Sequence, residues 1–552
     1  MNLHASLANA AWAGASLRAW RQFNASLANP EAAQRQVLTA CLRNNAGSAI
    51  GRAHGFSRLL EASDTITAFQ QTVPIVTYDA LEPFIGRVAS GEQNVMTGAT
   101  VQRLSPSSGS TSAAKLIPQT TELQREFSRA VDAWIADLFL RCPRLIGGPA
   151  YWSITPAISA DAIATARLAR PAHGASVPIG FDDDSAYLGG VREWLVRRIL
   201  AVPCELRMVA DPETFRYVSL LHLARARDLR LISVWHPSFL IELLDRLPDY
   251  LERIIDDTAR GTLTPPGPIG ADVYRIFSAA LRPDPRRAAE LRRVPTPGAR
   301  DIWPHLALVS CWADGAARSY AERLSRAIPG VELQPKGLIA TEAIVSIPFR
   351  GLHPLAVRSH FFEFIDPSGQ ARLAHDLLSG VDYSVVVTTA GGLYRYQLGD
   401  RVRVNGTVGR TPSIEFVGRS DRVSDRFGEK LSDGFVTGIL ADLFANASAP
   451  RFAMLAPEMT AEGIAYTLLV EADGALPANL AGSLETALRA NPHYAWCVDL
   501  RQLRPARVIR VGPNADRAYL ATCVARGQRL GDVKPMSLHP DLGWSSLLGA
   551  RE

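Results

Sequence analysis

Up to about residue 75 the apolar residues recur every three or four positions, the period of helices packed on one face. Leu3, Leu7, Ala11, Trp12, Leu17 and Trp20 trace the first stripe, an amphipathic helix. Val101 to Leu104 predicts a strand that runs into a Ser/Gly-rich loop. Beyond the loop, Thr121-Glu122-Leu123-Gln124 has the form of a capping box, and Leu123, Phe127, Val131, Trp134, Ile135 and Leu138 continue as a helical stripe. The loop is therefore expected between a strand and a helix, where backbone N–H groups can face an anion.

Phe215 to Leu251, rich in leucine and arginine, reads as helical, and beyond Pro295 helices alternate with short apolar strands. The clearest β region is Asp382 to Glu415. It reads as a strand Tyr383–Thr388, a Gly391-Gly392 turn, a strand Leu393–Leu398, a Gly399-Asp400 turn and a strand Arg401–Val404. From Gly418 onward the texture is that of a small α+β unit. Its strands are expected near Phe452–Leu455, Tyr466–Glu471 and Val508–Val511, and its helices near Asn479–Arg489 and Asp516–Ala525. The pattern predicts an α/β body over 1–417 and a small C-terminal unit over 418–552, hinged near 418–422.

A chain of 552 residues is long enough for two domains, and 47% hydrophobic with 20% charged residues is ordinary for a globular protein. A net charge of +5 argues against a nucleic-acid partner, and the basic run Arg282–Arg293, interrupted by Asp284 and Glu290, reads as a solvated helix face. Cysteines 41, 142, 204, 311, 497 and 523 form no C-x-x-C pair. That suits reduced thiols in a cytoplasm and argues against structural zinc. No apolar run approaches the ~20 residues of a membrane span, and the N-terminus lacks the basic leader of a signal peptide. His236, His305 and His493 lie apart in sequence and read as structural.

Of the 59 Lys+Arg residues only four are lysines: Lys115, Lys336, Lys430 and Lys534. Lys336 and Lys534 adjoin glycine or proline, Lys430 stands two residues after Gly428, and Lys115 closes a Ser/Gly-rich loop; codon bias is the alternative explanation of their scarcity. A compact ammonium and a planar guanidinium are not interchangeable at a tight phosphate or carboxylate site. The loop Ser107-Ser108-Gly109-Ser110-Thr111-Ser112-Ala113-Ala114-Lys115 offers hydroxyls, backbone donors and one ammonium to a triphosphate. It lacks the G-x-x-x-x-G-K-[ST] of a P-loop, and taken alone such a loop is more often a plain connection. Thr341-Glu342, after Gly337-Leu338-Ile339-Ala340, sets a hydroxyl beside a carboxylate, which suits adenine-edge and Mg²⁺ contacts but is also common at helix starts. Asp400, after Gly399, could hold both ribose hydroxyls or simply close a hairpin.

The most specific string is Gly418-Arg419-Ser420-Asp421, continuing through Gly428-Glu429-Lys430-Leu431. Its Gly-Arg-x-Asp start resembles the hinge signature of adenylate-forming enzymes, and the order of the four strings resembles that superfamily. Finer resemblance is to the auxin-responsive-promoter family of acyl-acid amido synthetases. It rests on Lys115-Leu116-Ile117-Pro118, Ile179-Gly180-Phe181-Asp182-Asp183, Ser310-Cys311-Trp312-Ala313-Asp314, Pro329–Gly337, Gly392-Leu393-Tyr394-Arg395-Tyr396, Asn491-Pro492-His493-Tyr494 and Lys534-Pro535. The chain departs from the family pattern at Ser112, where a glycine is usual. It departs again at Ala340-Thr341-Glu342, where plant members carry Tyr-Gly-Ser-Ser-Glu.

This resemblance implies a large adenylate-forming body with a small mobile α+β C-terminal lid. It implies ATP and Mg²⁺ as cofactors, and as substrates a small carboxylic acid and an amino acid or other amine. An acyl-adenylate would form with release of pyrophosphate, and the amine would then expel AMP. Acid–CoA ligation and a non-catalytic nucleotide binder are the competing readings. Carried over, Ser107, Ser108, Thr111 and Lys115 would hold phosphate, and Thr341 the nucleotide. Glu342 would bind Mg²⁺, Asp400 the ribose, and Arg419 ribose or phosphate, while Asp421 would mark the hinge. Lys534 would swing in with the lid during adenylation. The aromatics Tyr151, Trp152, Trp235, Phe239 and Trp312 could line an acyl pocket, with core packing the alternative for each.

Overall fold

A computed structural model describes residues 3–107, 115–152, 177, 190–293, 298–419, 423–424, 426–427, 429–445, 447–499, 502–526, 528 and 533–550. The chain divides into two compact units. The first comprises Met1–Trp312, Tyr320–Leu398 and Arg403–Glu415, and the second Ala313–Ser319, Gly399–Val402 and Phe416–Glu552.

The first unit is built on a parallel sheet of Ala150–Trp152, Leu231–Ser233, Leu308–Cys311 and Glu332–Pro335, in that spatial order. These strands are short and mostly buried, as in a sheet covered by helices. Phe215, Tyr217, Leu220 and Leu221 from the helix Pro212–Arg225 and Leu240, Leu243 and Ile254 from the helix Pro237–Arg260 bury against it. The helical expectation for Phe215–Leu251 is thus corrected: the strand Leu231–Ser233 interrupts it, after the break at Arg227 and Asp228. A second sheet orders Thr411–Arg419, Tyr396–Val408, Asp382–Thr388, Phe361–Ile365 and Ala371–Leu373. The expected turn at Gly399-Asp400 is corrected: both residues lie inside the 13-residue strand Tyr396–Val408, with Gly399 absorbing a φ of 83°.

The N-terminal helix Leu3–Ser26 forms, but its buried face is Ala5, Ala8, Asn9, Trp12, Ser16 and Phe23, leaving Leu3 and Leu7 exposed. It packs on the helix Thr121–Arg141, where Asn9 donates to the carbonyls of Leu145, Ile146 and Gly148 in the turn that follows. The second unit carries a three-stranded sheet: Phe452–Thr460 is antiparallel to Gly463–Glu471, which is parallel to Arg504–Arg510. Alternation along the first strand sends Met454 and Ala456 into one apolar cluster and Leu455 into the other, so helices cover both faces. No described helix is long and apolar enough to cross a membrane.

His222, on the helix Pro212–Arg225, is buried edge-on to Phe277 at 5.4 Å. Burial, reinforced by Arg225, lowers its imidazole to about 4. An unfolded histidine titrates near 6.5, so the folded state resists the proton that the unfolded state accepts. The stability held above about pH 6.5 is lost as pH falls toward 4, by about 3 kcal/mol in all. Urea unfolding of the wild type at pH 7 and pH 4.5 is expected to show this loss, and His222→Leu should narrow the gap between the two pH values by about 2 kcal/mol. An unchanged gap would assign the acid sensitivity to other groups.

Candidate active site

In open parallel sheets ligands gather beyond the carboxyl ends of the strands. Here those ends deliver Trp152, then Ser233 with Trp235 and His236, then Cys311 with Trp312, then Lys336. In-register pairing puts Trp152, Ser233, Ser310 and Gln334 in one row on one face. Gln334 accepts the indole N–H of Trp134 at 3.0 Å. The ammonium of Lys336, 3% exposed, donates to Ser233 Oγ at 2.6 Å. It also lies 5.0 Å from the ring of Trp134 and 5.3 Å from that of Trp235, distances at which a cation is attracted to the π face. Burial pushes the neighbouring Cys311 thiol up to about 12, with the Lys336 charge opposing. Lys336 is therefore a buried cation that joins three strands and a helix.

The expected pocket aromatics separate into two groups. Tyr151 and Phe239 belong to the hydrophobic core, and Trp152 packs 5.8 Å from Trp12 of the N-terminal helix. Trp235 and Trp312 pair at 5.5 Å and stay partly exposed. His236 caps the helix Pro237–Arg260: its Nδ1 accepts the Ser238 N–H, and its ring meets Trp312 and Tyr320 edge-on. His236 thus has the structural role expected of it, although its place as a helix cap was not read from His-Pro-Ser.

The loop expected to hold phosphate is flanked by two strands that pair antiparallel. Arg103–Ser107 pairs with Lys115–Gln119, Ser107 opposite Lys115. The expected strand–helix connection is corrected, because Leu116 and Ile117 extend a second strand before the helix begins. The helix starts at Thr121, and its cap is Thr120, whose hydroxyl accepts the Leu123 N–H; the expected box is one residue out of register. Ser108, Thr111 and Ser112 lie outside the described residues. Lys115 stands 5.9 Å from the ring of Tyr78, whose hydroxyl accepts the Leu116 N–H.

Thr341 and Glu342 form the tip of a tight hairpin. Ala340 N–H donates to Ala343 C=O at 2.9 Å, Val345 N–H to Leu338 C=O, and Leu338 N–H to Ser346 Oγ. Glu342 is 8% exposed. The glycine turn closes through Thr389 N–H to Leu393 C=O and Gly392 N–H to Thr389 C=O. Gly392 has φ 97°, and a Cβ there would stand 2.7 Å from Met96 Cβ, so both backbone and space exclude a side chain. Arg395, from the Leu-Tyr-Arg-Tyr string, is 6% exposed and grips Glu363 with two parallel hydrogen bonds of 2.9 Å.

In the second unit Asp400 accepts from Arg419 Nη1 at 3.1 Å, so two of the expected ribose contacts form an ion pair. Gly418 precedes that arginine where a Cβ would meet Gly434 Cα at 2.7 Å, and only glycine lets the strand pass the helix Asp433–Phe444. Asp421 lies outside the described residues. Lys534 sits on a clamped segment. The Tyr519 hydroxyl donates to its carbonyl at 3.2 Å, and Val533 is buried. Asp433 Oδ1 accepts the N–H groups of Ser537 and Leu538, while Leu455 exchanges hydrogen bonds with Ser537 and His539. Lys430 is exposed with φ 46°, whereas its neighbour Glu429 is fully buried and accepts from Arg426 N–H, Phe427 N–H and Tyr466.

The sequence matches the GH3 family N-terminal domain over residues 19–333 and the GH3 family central domain over residues 353–419. The "Probable indole-3-acetic acid-amido synthetase GH3.1" of Oryza sativa subsp. japonica is 25% identical over 93% of this chain and 88% of its own length. The "Indole-3-acetic acid-amido synthetase GH3.17" of Arabidopsis thaliana is 25% identical over 73% of this chain and 71% of its own. The fold is that of the "AtGH3.15 acyl acid amido synthetase in complex with 2,4-DB", with a TM-score of 0.82 at 19% identity, covering 97% of this chain and 96% of that one.

Proposed function

As the chain belongs to the GH3 family, we propose that it is an ATP-dependent acyl-acid amido synthetase acting in the cytoplasm on a small carboxylic acid and an amino acid or similar amine. An oxygen of the acid's carboxylate bonds to the α-phosphorus of ATP while the bond to pyrophosphate breaks. The amine nitrogen then bonds to the acyl carbon, the acyl–phosphate bond breaks to release AMP, and the nitrogen loses a proton. Neither step needs a protein nucleophile. The residues orient reactants and neutralise charge, which is how phosphoryl chemistry is generally catalysed.

The observation that carries this reading is the family match over both domains, and the presence of Glu342 at a hairpin tip, Asp400 and Lys534 supports it. Glu342 takes the magnesium role and Thr341 the nucleotide contact. Among the described residues no three His, Cys, Asp or Glu side chains gather as a metal site. One carboxylate fits Mg²⁺, which is commonly held by one or two carboxylates plus substrate phosphates. When bound, the ion offsets the triphosphate charge. Asp400 with Arg419 serves the ribose, and the hairpin tip with Ser107, Ser108, Thr111 and Lys115 serves the phosphates. Residues 418–552 act as the lid that carries Lys534, and Trp235 and Trp312 line the acyl side.

Pyrophosphate release with ATP and a panel of aryl, indolyl and fatty acids tests the reading. Release that requires the acid and accelerates with added amino acids, with an amide as product, is the expected result. Acceleration by coenzyme A alone would make it a ligase of the other kind, and silence with ATP still bound would leave a binding protein.

A further inference from the structure

We propose that Glu126 and His360, both buried and 234 residues apart in sequence, are a positioning pair that locks the Thr341–Glu342 hairpin to the Gly391–Gly392 turn. His360 Nε2 accepts the Ile344 N–H at 3.2 Å, so that nitrogen carries no proton and Nδ1 does. Nδ1–H then donates to Glu126 Oε2 at 3.0 Å, and the same oxygen accepts the Ala390 N–H at 2.9 Å. One unbroken chain of hydrogen bonds thus runs from the hairpin, two residues beyond Glu342, through imidazole and carboxylate to the residue before the glycine turn. A carboxylate behind an imidazole fixes tautomer and ring orientation together.

The surroundings leave the pair no second arrangement. Gln34 donates to the carbonyls of Val357 and His360 at 2.8 Å each and accepts the Phe362 N–H at 2.7 Å. Phe127 and Phe362 meet the imidazole edge-on at 5.5 and 6.1 Å. On the other side Thr97 donates to the Ala390 carbonyl at 3.3 Å. Removing the imidazole would orphan a buried N–H on the hairpin and half the bonding of a buried carboxylate, so the hairpin and the turn should loosen together.

The consequence for ATP rests on the function proposed above, whereas the coupling itself does not, and the experiment separates them. Amide hydrogen exchange is compared for the wild type, His360→Leu and His360→Gln, whose amide can accept from Ile344 and donate to Glu126. In His360→Leu, peptides covering 338–346 and 388–394 should both exchange about tenfold faster, with the parallel-sheet strands unchanged, and His360→Gln should restore both. Acceleration in only one of the two peptides, or throughout the first unit, would overturn the coupling. In the pyrophosphate assay His360→Leu should raise the KM for ATP about tenfold and leave that for the acid unmoved, with His360→Gln within about threefold of wild type. A lowered melting temperature with both KM values unchanged would reduce the pair to a structural contact. A wild type that releases no pyrophosphate would sink the function and leave hydrogen exchange alone to decide the coupling.

Discussion

Lys534→Ala is expected to lower acid-dependent pyrophosphate release by about 10² to 10³-fold, the usual loss when one group aimed at developing charge is removed. Amide formation from a supplied acyl-adenylate should fall less than tenfold, because the α-phosphorus is attacked only in the first step, and the second needs help only with the charge left on departing AMP. The local structure supports this use of a lysine. Its carbonyl accepts from Tyr519, and the segment just beyond it, Ser537–His539, is held by Asp433 and Leu455, while its side chain stays partly exposed. A rigid base under a partly exposed ammonium delivers charge to a defined place without paying much ordering entropy at the moment of reaction. Lys534→Arg should recover only part of the rate, since a planar fork does not replace a compact ammonium beside a crowded phosphorus. The urea midpoint of Lys534→Ala should barely move, because the clamp uses main-chain groups. Equal losses in both half-reactions would remove Lys534 from the adenylation step, and a large stability loss would make it a structural residue of the second unit.

What was legible in the sequence follows from the range of the interactions involved. The strands of the second unit could be read because their side chains alternate between two apolar clusters, a local pattern. The strand Leu231–Ser233 could not be separated from its leucine-rich helical neighbours, since three buried apolar residues carry no period of their own. Leu3 and Leu7 suggested the wrong face of the first helix: its buried side is chosen by small residues and Asn9, which let the helix approach Thr121–Arg141 closely. Thr341-Glu342 stood out in the sequence as a hydroxyl beside a carboxylate, though not as the tip of a hairpin. The hairpin's supports did not stand out, because Glu126, His360, Gln34 and Ala390 meet only through tertiary packing. Lys336 stood out by rarity, yet rarity did not tell a ligand-facing ammonium from the buried one that Ser233, Trp134 and Trp235 hold.

Arg395→Met should destabilise the first unit by about 3 to 5 kcal/mol, the cost of stripping one partner from a buried ion pair. Glu363 is 1% exposed and takes both parallel bonds of the guanidinium. The remaining Arg395 nitrogen donates to the carbonyls of Gln70 and Val73 at 2.7 Å, and Gln70 in turn donates to Glu363 at 2.8 Å. Arg395 holds this position at φ 48°, an uncommon conformation for a residue with a Cβ, which the four side-chain bonds over-determine. Two sources of the loss can be told apart. If the uncompensated carboxylate dominates, Arg395→Met combined with Glu363→Leu should recover more than half of the stability, because no buried charge is left. If the orphaned carbonyls of Gln70 and Val73 dominate, the double variant should be no better than the single one. Urea midpoints of the wild type, both single variants and the double variant decide between them. The first outcome is expected, since an unpaired buried charge costs more than two unpaired carbonyls. Glu363→Leu alone should then be nearly as damaging as Arg395→Met, for it leaves a guanidinium buried without its counter-charge.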